Sequence, residues 1–506
     1  MNREQLLGWW PLRRMALARF SPFPAASATM CLTLLAMMWL GACGEGSSVP
    51  PPPPTTAGTV QMVETTGDQS QLLALQPTLN WHAGNGISNL VITINEATVY
   101  QTMDGFGASL TDSSASLIWN QLSSAQQSAL MQQLFSPSTG IGISFLRQPM
   151  GASDFSASGN YSYDDMPAGQ TDTAMANFSI AHDTAYILPL LKQALSLNPA
   201  LKVVGLPWSP PAWMKTSGTM NGGNINPAYY ASLAQYFVLF VQAYQQQGVP
   251  IYAVSPQNEP LNSNTSYPTA YLAAADETTF VVNYLGPALQ GAGLSQTKIF
   301  AYEHNWDHPE YAQTVLGSSA GSFVAGSSFH CYAGDESAQT TVETAYPAKD
   351  IWFTECSGTA GSSFAGDLVW NAHHLLIGAT RNWARSVSLW NLALDQNSGP
   401  TNGGCMNCRG VVTIDRSVTP AKISFNVEYY VLGHLAKFVT PGAKRIDSNT
   451  FGMGSIEDVA FHNPDGSKVL LVLNSGQSAG SFSVQWNGQA FESTLAAGAL
   501  ATYNWK

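Results

Sequence analysis

Charged side chains are scarce in this sequence. Asp, Glu, Lys and Arg make up 10% of the 506 residues, against about 25% in an average soluble domain. The few charges are mostly acidic, with 20 Lys and Arg against 32 Asp and Glu and a formal net charge of −12. So few cations argue against a polyanion as ligand, and we expect no nucleic acid partner. Uncharged polar residues take the remaining surface positions, as is typical of a secreted protein with neutral partners.

Signatures of cofactor and metal binding are also missing. The sequence has no phosphate-binding Gly-rich motif, and no second Cys or His pair follows its one C-x-x-C, Cys405 to Cys408, at ligand spacing. A disulfide across that short loop is therefore favoured over a metal site. The adjacent His373 and His374 fall on a predicted helix, where neighbouring residues point to different faces and are not expected to share an ion. We expect no cofactor and no metal.

The N-terminal region has the organisation of a bacterial export signal. Arginines occur up to Arg19, an apolar stretch covers residues 25–42, and Leu40-Gly41-Ala42-Cys43 resembles a lipoprotein cleavage box. We predict a signal peptide at residues 1–42, a lipidated Cys43 that anchors the protein to the membrane, and a Pro-rich linker at residues 43–57. An uncleaved anchor helix is the alternative, because about 18 apolar residues nearly span a bilayer. Either interpretation predicts an exported protein, lipid-anchored at the cell envelope or secreted.

Short apolar runs of β type alternate with helix-like segments from residue 101 onward, as in consecutive βαβ units. They predict a (β/α)8 barrel over residues 101–438, with reactive residues at the carboxyl ends of its strands. The eight runs are Met103 to Ala108, Ile143 to Met150, Leu201 to Trp208, Tyr252 to Pro256, Lys298 to Glu303, Phe323 to His330, Asp350 to Thr354 and Ser386 to Leu392.

The segments on either side of the barrel alternate like strands separated by turns. Residues 58–100 form the N-terminal segment and residues 439–506 the C-terminal one. Neither is large enough for a sheet core of its own. We therefore predict one β-sandwich-like domain, built from both ends of the chain and packed beside the barrel, in a monomeric protein.

Two predicted strands end in a glutamate that lies within an uncharged run. The fourth ends in Ser255-Pro256-Gln257-Asn258-Glu259-Pro260 and the seventh in Phe353-Thr354-Glu355-Cys356. These strands face each other across the barrel mouth, so their carboxylates can come together. Cleavage of a glycosidic bond by double displacement requires two carboxyl groups about 5 to 5.5 Å apart. An isolated glutamate is usually a solvated surface residue, but two at strand ends favour a catalytic pair.

Several motifs resemble glycoside hydrolase family 30, which contains glucosylceramidases and endo-β-1,6-glucanases. The Asn258-Glu259-Pro260 tripeptide resembles the acid/base motif of barrel glycosidases with a catalytic pair on strands four and seven. The resemblance covers about residues 58–506 in collinear order. The other matching segments are Asp104 to Asp112, Arg147 to Gly151, Ser153 to Ser156, Pro207 to Lys215, His330 to Tyr332, Trp390 to Leu392 and Tyr429 to His434.

The resemblance implies a role for each matched residue. Glu259 is the acid/base and Glu355 the nucleophile, and Asn258 hydrogen-bonds the 2-hydroxyl of the sugar. At the −1 subsite, where the cleaved sugar binds, the hydroxyls and the face of the sugar are contacted by Asp112, Trp208 and Trp390. His330 and Tyr332 lie near the nucleophile and orient it.

One loop departs from the family pattern. Glucosylceramidases have Gly-Gly-Pro-Asn-Trp after the eighth strand, whereas this chain has Ser398-Gly399-Pro400-Thr401-Asn402 followed by Cys405 and Cys408. Asn402 stands in for the family asparagine if the register holds. Cys331 and Cys356 follow neighbouring strands, at a separation that suits a disulfide. The sequence allows either this disulfide or two free buried thiols.

Together these features predict a retaining β-glycosidase that acts on a β-1,6-glucan or a glucosylceramide-like glucoside. A glucuronoxylan-type endo-xylanase of the same family is the alternative within the same chemistry. Thr111-Asp112 and Trp390-Asn391-Leu392 resemble the glucosidase branch instead. A non-catalytic surface glycan-binding protein is the rival from another class. It would need neither glutamate of the pair, and both are present.

Overall fold

The structure is a computed structural model that describes residues 58–506. The predicted signal peptide, Cys43 and the Pro-rich linker lie outside the described residues. Within residues 58–506, none of the helices combines the length and apolarity needed to cross a membrane.

A closed barrel of eight parallel strands forms the centre of the protein. Every strand overlaps its predicted run, so the predicted (β/α)8 barrel is confirmed. In chain order the strands are Gly105–Ser109, Phe145–Pro149, Lys202–Leu206, Ile251–Val254, Lys298–Asn305, Val324–His330, Asp350–Glu355 and Ala384–Asn391.

Some of the helices on the outside of the barrel begin at a capping side chain. Ser123 and Gln126 form a reciprocal capping box at the start of Ser124–Phe135, and Thr111 caps Asp112–Asn120. The other α-helices are Ile187–Leu197, Tyr230–Gln246, Ala274–Phe280, Gly286–Gly291, Pro309–Leu316, Ser337–Ala345, Phe364–Trp370 and Val427–Ala436. Two π-helical segments, Val281–Leu285 and Asn371–Ala379, continue α-helices, and short 3₁₀ turns occupy Ala212–Met214, Pro227–Tyr229 and Ser319–Ser322.

Two residues of the Asp104 to Asp112 motif stabilise the barrel. A Cβ atom at Gly107 would lie 1.9 Å from the carbonyl oxygen of Phe145, so glycine allows the close approach of the first two strands. Asp104, at the amino end of the barrel, pairs with Lys202 and Arg385. Burial alone would raise the pKa of Asp104, but these two cations outweigh it and hold the pKa below its usual range. The motif thus fixes the barrel floor.

The two ends of the chain form one β-domain with an eleven-stranded sheet. Thr59–Thr65 pairs antiparallel with Leu500–Trp505, and Val91–Thr102 pairs with Lys444–Ser448. This confirms the predicted β-sandwich-like domain of N- and C-terminal origin. The remaining strands of the sheet are Ala74–Leu75, Leu79–Asn80, His82–Ala83, Ile456–His462, Lys468–Asn474, Gly480–Trp486 and Gln489–Leu495.

Two small sheets shape the barrel mouth. Gly358–Thr359, just after the seventh strand, pairs with Cys408–Arg409, which brings the loop after the eighth strand next to Glu355. A three-stranded sheet of Ala393–Asp395, Val412–Asp415 and Lys422–Phe425 supports the same loop. Cys331 and Cys356 form a disulfide, as do Cys405 and Cys408.

Candidate active site

Glu259 and Glu355 face each other at the barrel mouth. Glu355 ends the seventh strand, and Glu259 follows the fourth. A carboxylate oxygen of each lies within 4.8 Å of the other, and a ring nitrogen of His330 completes the group. This spacing suits direct attack by one carboxylate on the anomeric carbon. The inverting reaction needs a separation of about 6.5 to 9.5 Å to admit a water molecule.

The backbone that presents Glu259 is strained. Glu259 has a φ of 45°, and Tyr302 and Glu303, at the end of the neighbouring fifth strand, have φ values of 76° and 64°. Such angles are uncommon for residues other than glycine and cost about 1 to 3 kcal/mol each. The backbone amide of Glu259 donates to the Glu303 carbonyl at 3.0 Å, so a hydrogen bond connects the two strained segments. The strain aims the acid/base side chain into the mouth.

Arg147 organises the floor of the site. Its side chain is fully buried, and each guanidinium nitrogen has a partner. Nε donates to Glu303 Oε1 at 3.1 Å, Nη1 donates to Glu355, and Nη2 donates to Asn258 Oδ1 at 2.5 Å. The guanidinium also lies over the Trp208 ring, 4.7 Å from its centroid, in a cation–π contact. Arg147 therefore connects the nucleophile, a second buried carboxylate and a substrate-binding amide.

His330 is a neutral hydrogen-bond relay. Burial is the main cause that lowers its pKa to about 4. Arg147 has no acceptor, so the 3.4 Å contact with its Nη2 makes His330 Nε2 the acceptor. Nδ1 then carries the proton and donates to Glu259 Oε1 at 3.3 Å. His330 therefore lies near both carboxylates and hydrogen-bonds the acid/base, whereas the sequence predicts only a position near the nucleophile.

Neighbouring groups stabilise the ionised form of the buried nucleophile, Glu355. Burial, with the charge of Glu259 adding to it, raises the pKa of Glu355, while the charge of Arg147 and a hydrogen bond from Tyr332 limit the rise. The Tyr332 hydroxyl donates to Glu355 Oε1 at 2.9 Å. The structure thus places Tyr332 where the family resemblance predicts it, in contact with the nucleophile.

The cavity above the pair measures about 180 Å³. That is below the roughly 300 to 1,000 Å³ of sites for drug-sized ligands, so it takes a small unit such as one sugar ring. Trp208 and Trp390 stack on each other in its wall with ring centroids 4.8 Å apart. The lining residues are Asp154, Trp208, Asn258, Glu259, Tyr267, Tyr332, Glu355, Trp390, Cys405 and Cys408.

Asp154 is a site residue to which the sequence interpretation assigned no role. It lies within the quoted Ser153 to Ser156 motif, which was the available signal. Burial, with the charges of Glu355 and Glu259 adding to it, raises the pKa of Asp154 well above its usual range. A protonated carboxyl at this place both donates to and accepts from a sugar hydroxyl.

Asp112 and Asn402 are not among the residues that line the cavity in the described part of the chain. The Asp112 carboxylate instead binds His182 at 2.7 Å and the hydroxyl of Tyr186. Asn402 donates from its side chain to the Ser153 carbonyl at 3.1 Å, and from its backbone amide to the Asp154 carbonyl at 2.7 Å. Both residues therefore position the walls of the site, and direct contact with the sugar stays a prediction.

The spacing of Glu259, His330 and Glu355 is one that a metal ion can bridge. The guanidinium of Arg147 already pairs with Glu355, and a divalent cation there would be repelled by it. A larger cavity of about 400 Å³ lies on the β-domain, with Glu64 and Glu492 in its wall. Its lining contains no aromatic ring for a sugar to stack on, so the barrel mouth is the better candidate for the active site.

Comparison with known proteins gives family matches over both the barrel and the β-domain. The model of the glycosyl hydrolase family 30 TIM-barrel domain matches residues 103–439, and that of the family's β-sandwich domain matches residues 442–503. An endo-1,6-β-D-glucanase of Neurospora crassa is 40% identical over 74% of this chain and 79% of its own. A putative glucosylceramidase of Caenorhabditis elegans is 31% identical over 76% of each chain.

A solved structure of an endo-β-1,6-glucanase superposes with a TM-score of 0.80 at 32% identity, and covers 88% of this chain and 99% of its own. The family models match both the barrel and the β-domain, and Glu259 and Glu355 lie at the carboxyl ends of strands four and seven. The chain belongs to glycosyl hydrolase family 30.

Proposed function

We propose that this retaining glycoside hydrolase cleaves β-1,6-linked glucan from within the chain. The geometry of Glu259 and Glu355 carries the reaction class, because oxygens within 4.8 Å of each other leave no room for the inverting water. The choice of substrate is supported by relatives. The Neurospora crassa and Trichoderma harzianum endo-1,6-β-D-glucanases are 40% and 36% identical to this chain, compared with 28% for the mouse lysosomal acid glucosylceramidase.

The reaction proceeds in two steps on the same pair. Glu259 protonates the leaving oxygen while Glu355 attacks the anomeric carbon, and the glycosidic bond breaks as the glycosyl ester forms. Esterification removes the negative charge of Glu355. Glu259, now a carboxylate, then takes a proton from water as the water oxygen attacks the anomeric carbon. The bond from that carbon to Glu355 breaks, which regenerates the Glu355 carboxylate and releases a sugar with the original anomeric configuration.

Asn258 and Asp154 are suited to hold the sugar during both steps. Arg147 donates to the side-chain oxygen of Asn258, which leaves the side-chain nitrogen of Asn258 free to donate to a sugar hydroxyl. A contact to the 2-hydroxyl that strengthens in the transition state adds several kcal/mol of stabilisation. The small cavity accepts one ring, so the rest of a glucan must extend along the rim.

Azide rescue distinguishes the two glutamates in matched variants. With an activated aryl β-glucoside, Glu355→Ala should lose at least about 10⁴-fold in turnover, or about 5.4 kcal/mol. Azide should then attack from the vacated side and yield the α-glucosyl azide. Glu259→Ala still forms the glycosyl ester, so azide should yield the β-glucosyl azide. Identical products, or wild-type turnover in Glu355→Ala, contradict the assignment.

A substrate panel tests the linkage. Pustulan, laminarin, glucuronoxylan and glucosylceramide should be compared at equal enzyme concentration, with product lengths followed over time. We expect pustulan to be cleaved fastest and to give intermediate β-1,6-linked oligosaccharides early. Faster cleavage of another member of the panel, or release of glucose alone from pustulan, would refute the glucan proposal.

We also propose that the enzyme acts outside the cytoplasm, anchored through a lipid on Cys43. The N-terminal pattern and the two disulfides of the described region support this. Full-length protein expressed in bacteria with a radiolabelled fatty acid should incorporate label. Cys43→Ser should lose the label and Cys31→Ser, the matched control, should retain it. Label that persists in Cys43→Ser refutes the lipid anchor.

A further inference from the structure

A second cluster of ionisable side chains lies away from the barrel mouth. It consists of Glu336, His373 and His374, whose ligand atoms all lie within 4.8 Å of one another. Glu336 precedes the helix Ser337–Ala345, and both histidines lie on the π-helical segment Asn371–Ala379. We propose that Glu336, His373 and His374 bind a divalent cation of the zinc class.

The π-helix explains why neighbouring histidines converge. Adjacent residues on an α-helix point to different faces, which is why the sequence predicts no shared ion. The wider π-helical turn reduces the angle between successive side chains, and such segments are frequent at functional sites. The rings of His373 and His374 lie with centroids 4.5 Å apart and planes at 80°. His374 therefore contacts Glu336, and a ring nitrogen of His373 lies within 4.8 Å of the same carboxylate.

The distances match zinc coordination. Zinc bonds to histidine nitrogen and carboxylate oxygen measure about 2.0 to 2.2 Å, so ligand atoms of one ion lie about 3 to 3.5 Å apart. Glu336 Oε2 lies 3.0 Å from His374 Nδ1. The ligand atom of His373 lies within 4.8 Å of the other two. The three side chains are 16 to 28% exposed, so water can enter and complete the coordination.

A buried carboxylate supports the first histidine from behind. Glu457, on the strand Ile456–His462, lies 2.6 Å from His373 Nδ1, with only 5% of its side chain exposed. A carboxylate on one ring nitrogen orients the ring and increases the basicity of the other nitrogen, as in carboxylate–histidine–zinc triads. Nε2 of His373 is then the ligand. Glu336 and Glu457 together match the charge of a divalent ion.

The packing also leaves space for the Glu336 carboxylate. A Cβ atom at Gly378, on the same π-helix, would lie 2.7 Å from Glu336 Oε1. The same Cβ atom would lie 2.8 Å from the His373 carbonyl oxygen, so a larger residue must displace the carboxylate, the π-helical backbone or both. Gly378→Ala thus disturbs the cluster without removing a ligand.

Metal titration of the whole protein tests the site. Protein without a polyhistidine tag is treated with chelator, dialysed and titrated with ZnCl₂ by calorimetry, and with CoCl₂ by visible absorption. We expect each chain to bind one Zn²⁺ tightly. We also expect Co²⁺ to give visible absorption bands that are lost in His373→Gln and in His374→Gln. His373→Gln and His374→Gln should each weaken Zn²⁺ binding at least about tenfold, and Glu457→Gln by about 10 to 100-fold.

Control variants separate this site from adventitious binding. His308 also contacts a surface carboxylate, Glu310 at 2.8 Å, outside the cluster, so His308→Gln should bind Zn²⁺ like the wild type. Gly378→Ala should weaken binding while circular dichroism and glucosidase activity stay unchanged, which shows that the variant is folded. Absence of stoichiometric Zn²⁺ binding, or equal affinity in His374→Gln and His308→Gln, overturns the proposal. The outcome does not depend on the glucan substrate.

Discussion

Replacement of Arg147 by lysine tests how the nucleophile is kept ionised. Arg147→Lys retains the positive charge but not the planar fork, and one ammonium cannot serve the three directions that the guanidinium nitrogens serve. A hydrogen bond to a charged group is worth about 1.5 to 3 kcal/mol. Loss of the one to Glu355 should therefore make its ionisation less favourable by that amount.

The size of the effect follows from the link between free energy and pH. One pH unit corresponds to 1.36 kcal/mol, so the acidic limb of the kcat/KM profile should move upward by about 1 to 2 pH units. The direction is upward because the reaction requires the Glu355 carboxylate, and weaker stabilisation of that charge means that a higher pH is needed to form it. The limb of kcat/KM reports the free enzyme.

The assay is hydrolysis of an activated aryl β-glucoside between about pH 3 and 9. Arg385→Lys is the matched control, because Arg385 pairs with Asp104 and Asp350 at the opposite end of the barrel. Its acidic limb should coincide with that of the wild type. If Arg147→Lys remains folded and its limb also coincides with the wild type, the proposed role of Arg147 is refuted.

Three further substitutions probe other parts of the site and the barrel. Gly404→Ala would place a Cβ atom 2.5 Å from Asp154 Oδ2, and the displaced carboxyl should lower kcat/KM about tenfold, one hydrogen bond's worth, with little change in urea unfolding. Tyr332→Phe removes the hydroxyl at 2.9 Å from the nucleophile and should raise the acidic limb, whereas an unchanged limb contradicts that role. Asp104→Asn leaves Lys202 without its partner and should cost about 3 kcal/mol at pH 7. Because the folded pKa of Asp104 is lowered, the stabilisation is present above its unfolded pKa of about 3.9 and is lost as pH falls through the folded pKa, so the difference from the wild type should shrink below about pH 4.

The barrel and the catalytic pair were predictable because they depend on local pattern and simple topology. Each apolar run marks a buried parallel strand, and parallel strands present their carboxyl ends at one face. Glu259 and Glu355 must therefore meet at that face, although they are far apart in the chain. The family resemblance, and not this topology, identified Tyr332, Trp208, Trp390 and Asn258 beside the pair.

Only the tertiary structure decided which partner each polar group takes. Arg147 binds Glu355, Glu303 and Asn258, and His330 donates to the acid/base, because side chains from different strands converge on one small volume. Motif resemblance identifies such residues without fixing the direction in which they point. Asp112 illustrates this, since its carboxylate turns to His182 instead of the cavity.

The sequence by itself determined the reaction class, because two carboxylates at the ends of strands four and seven have little other use in so uncharged a chain. Tertiary structure decided the electrostatics and the second cluster. Glu336, His373 and Glu457 come from a barrel loop, a π-helix and the β-domain, and no spacing in the sequence relates them. A helical pattern predicts divergent histidines, and only the folded backbone, with its π-helical turn, brings both within 4.8 Å of Glu336.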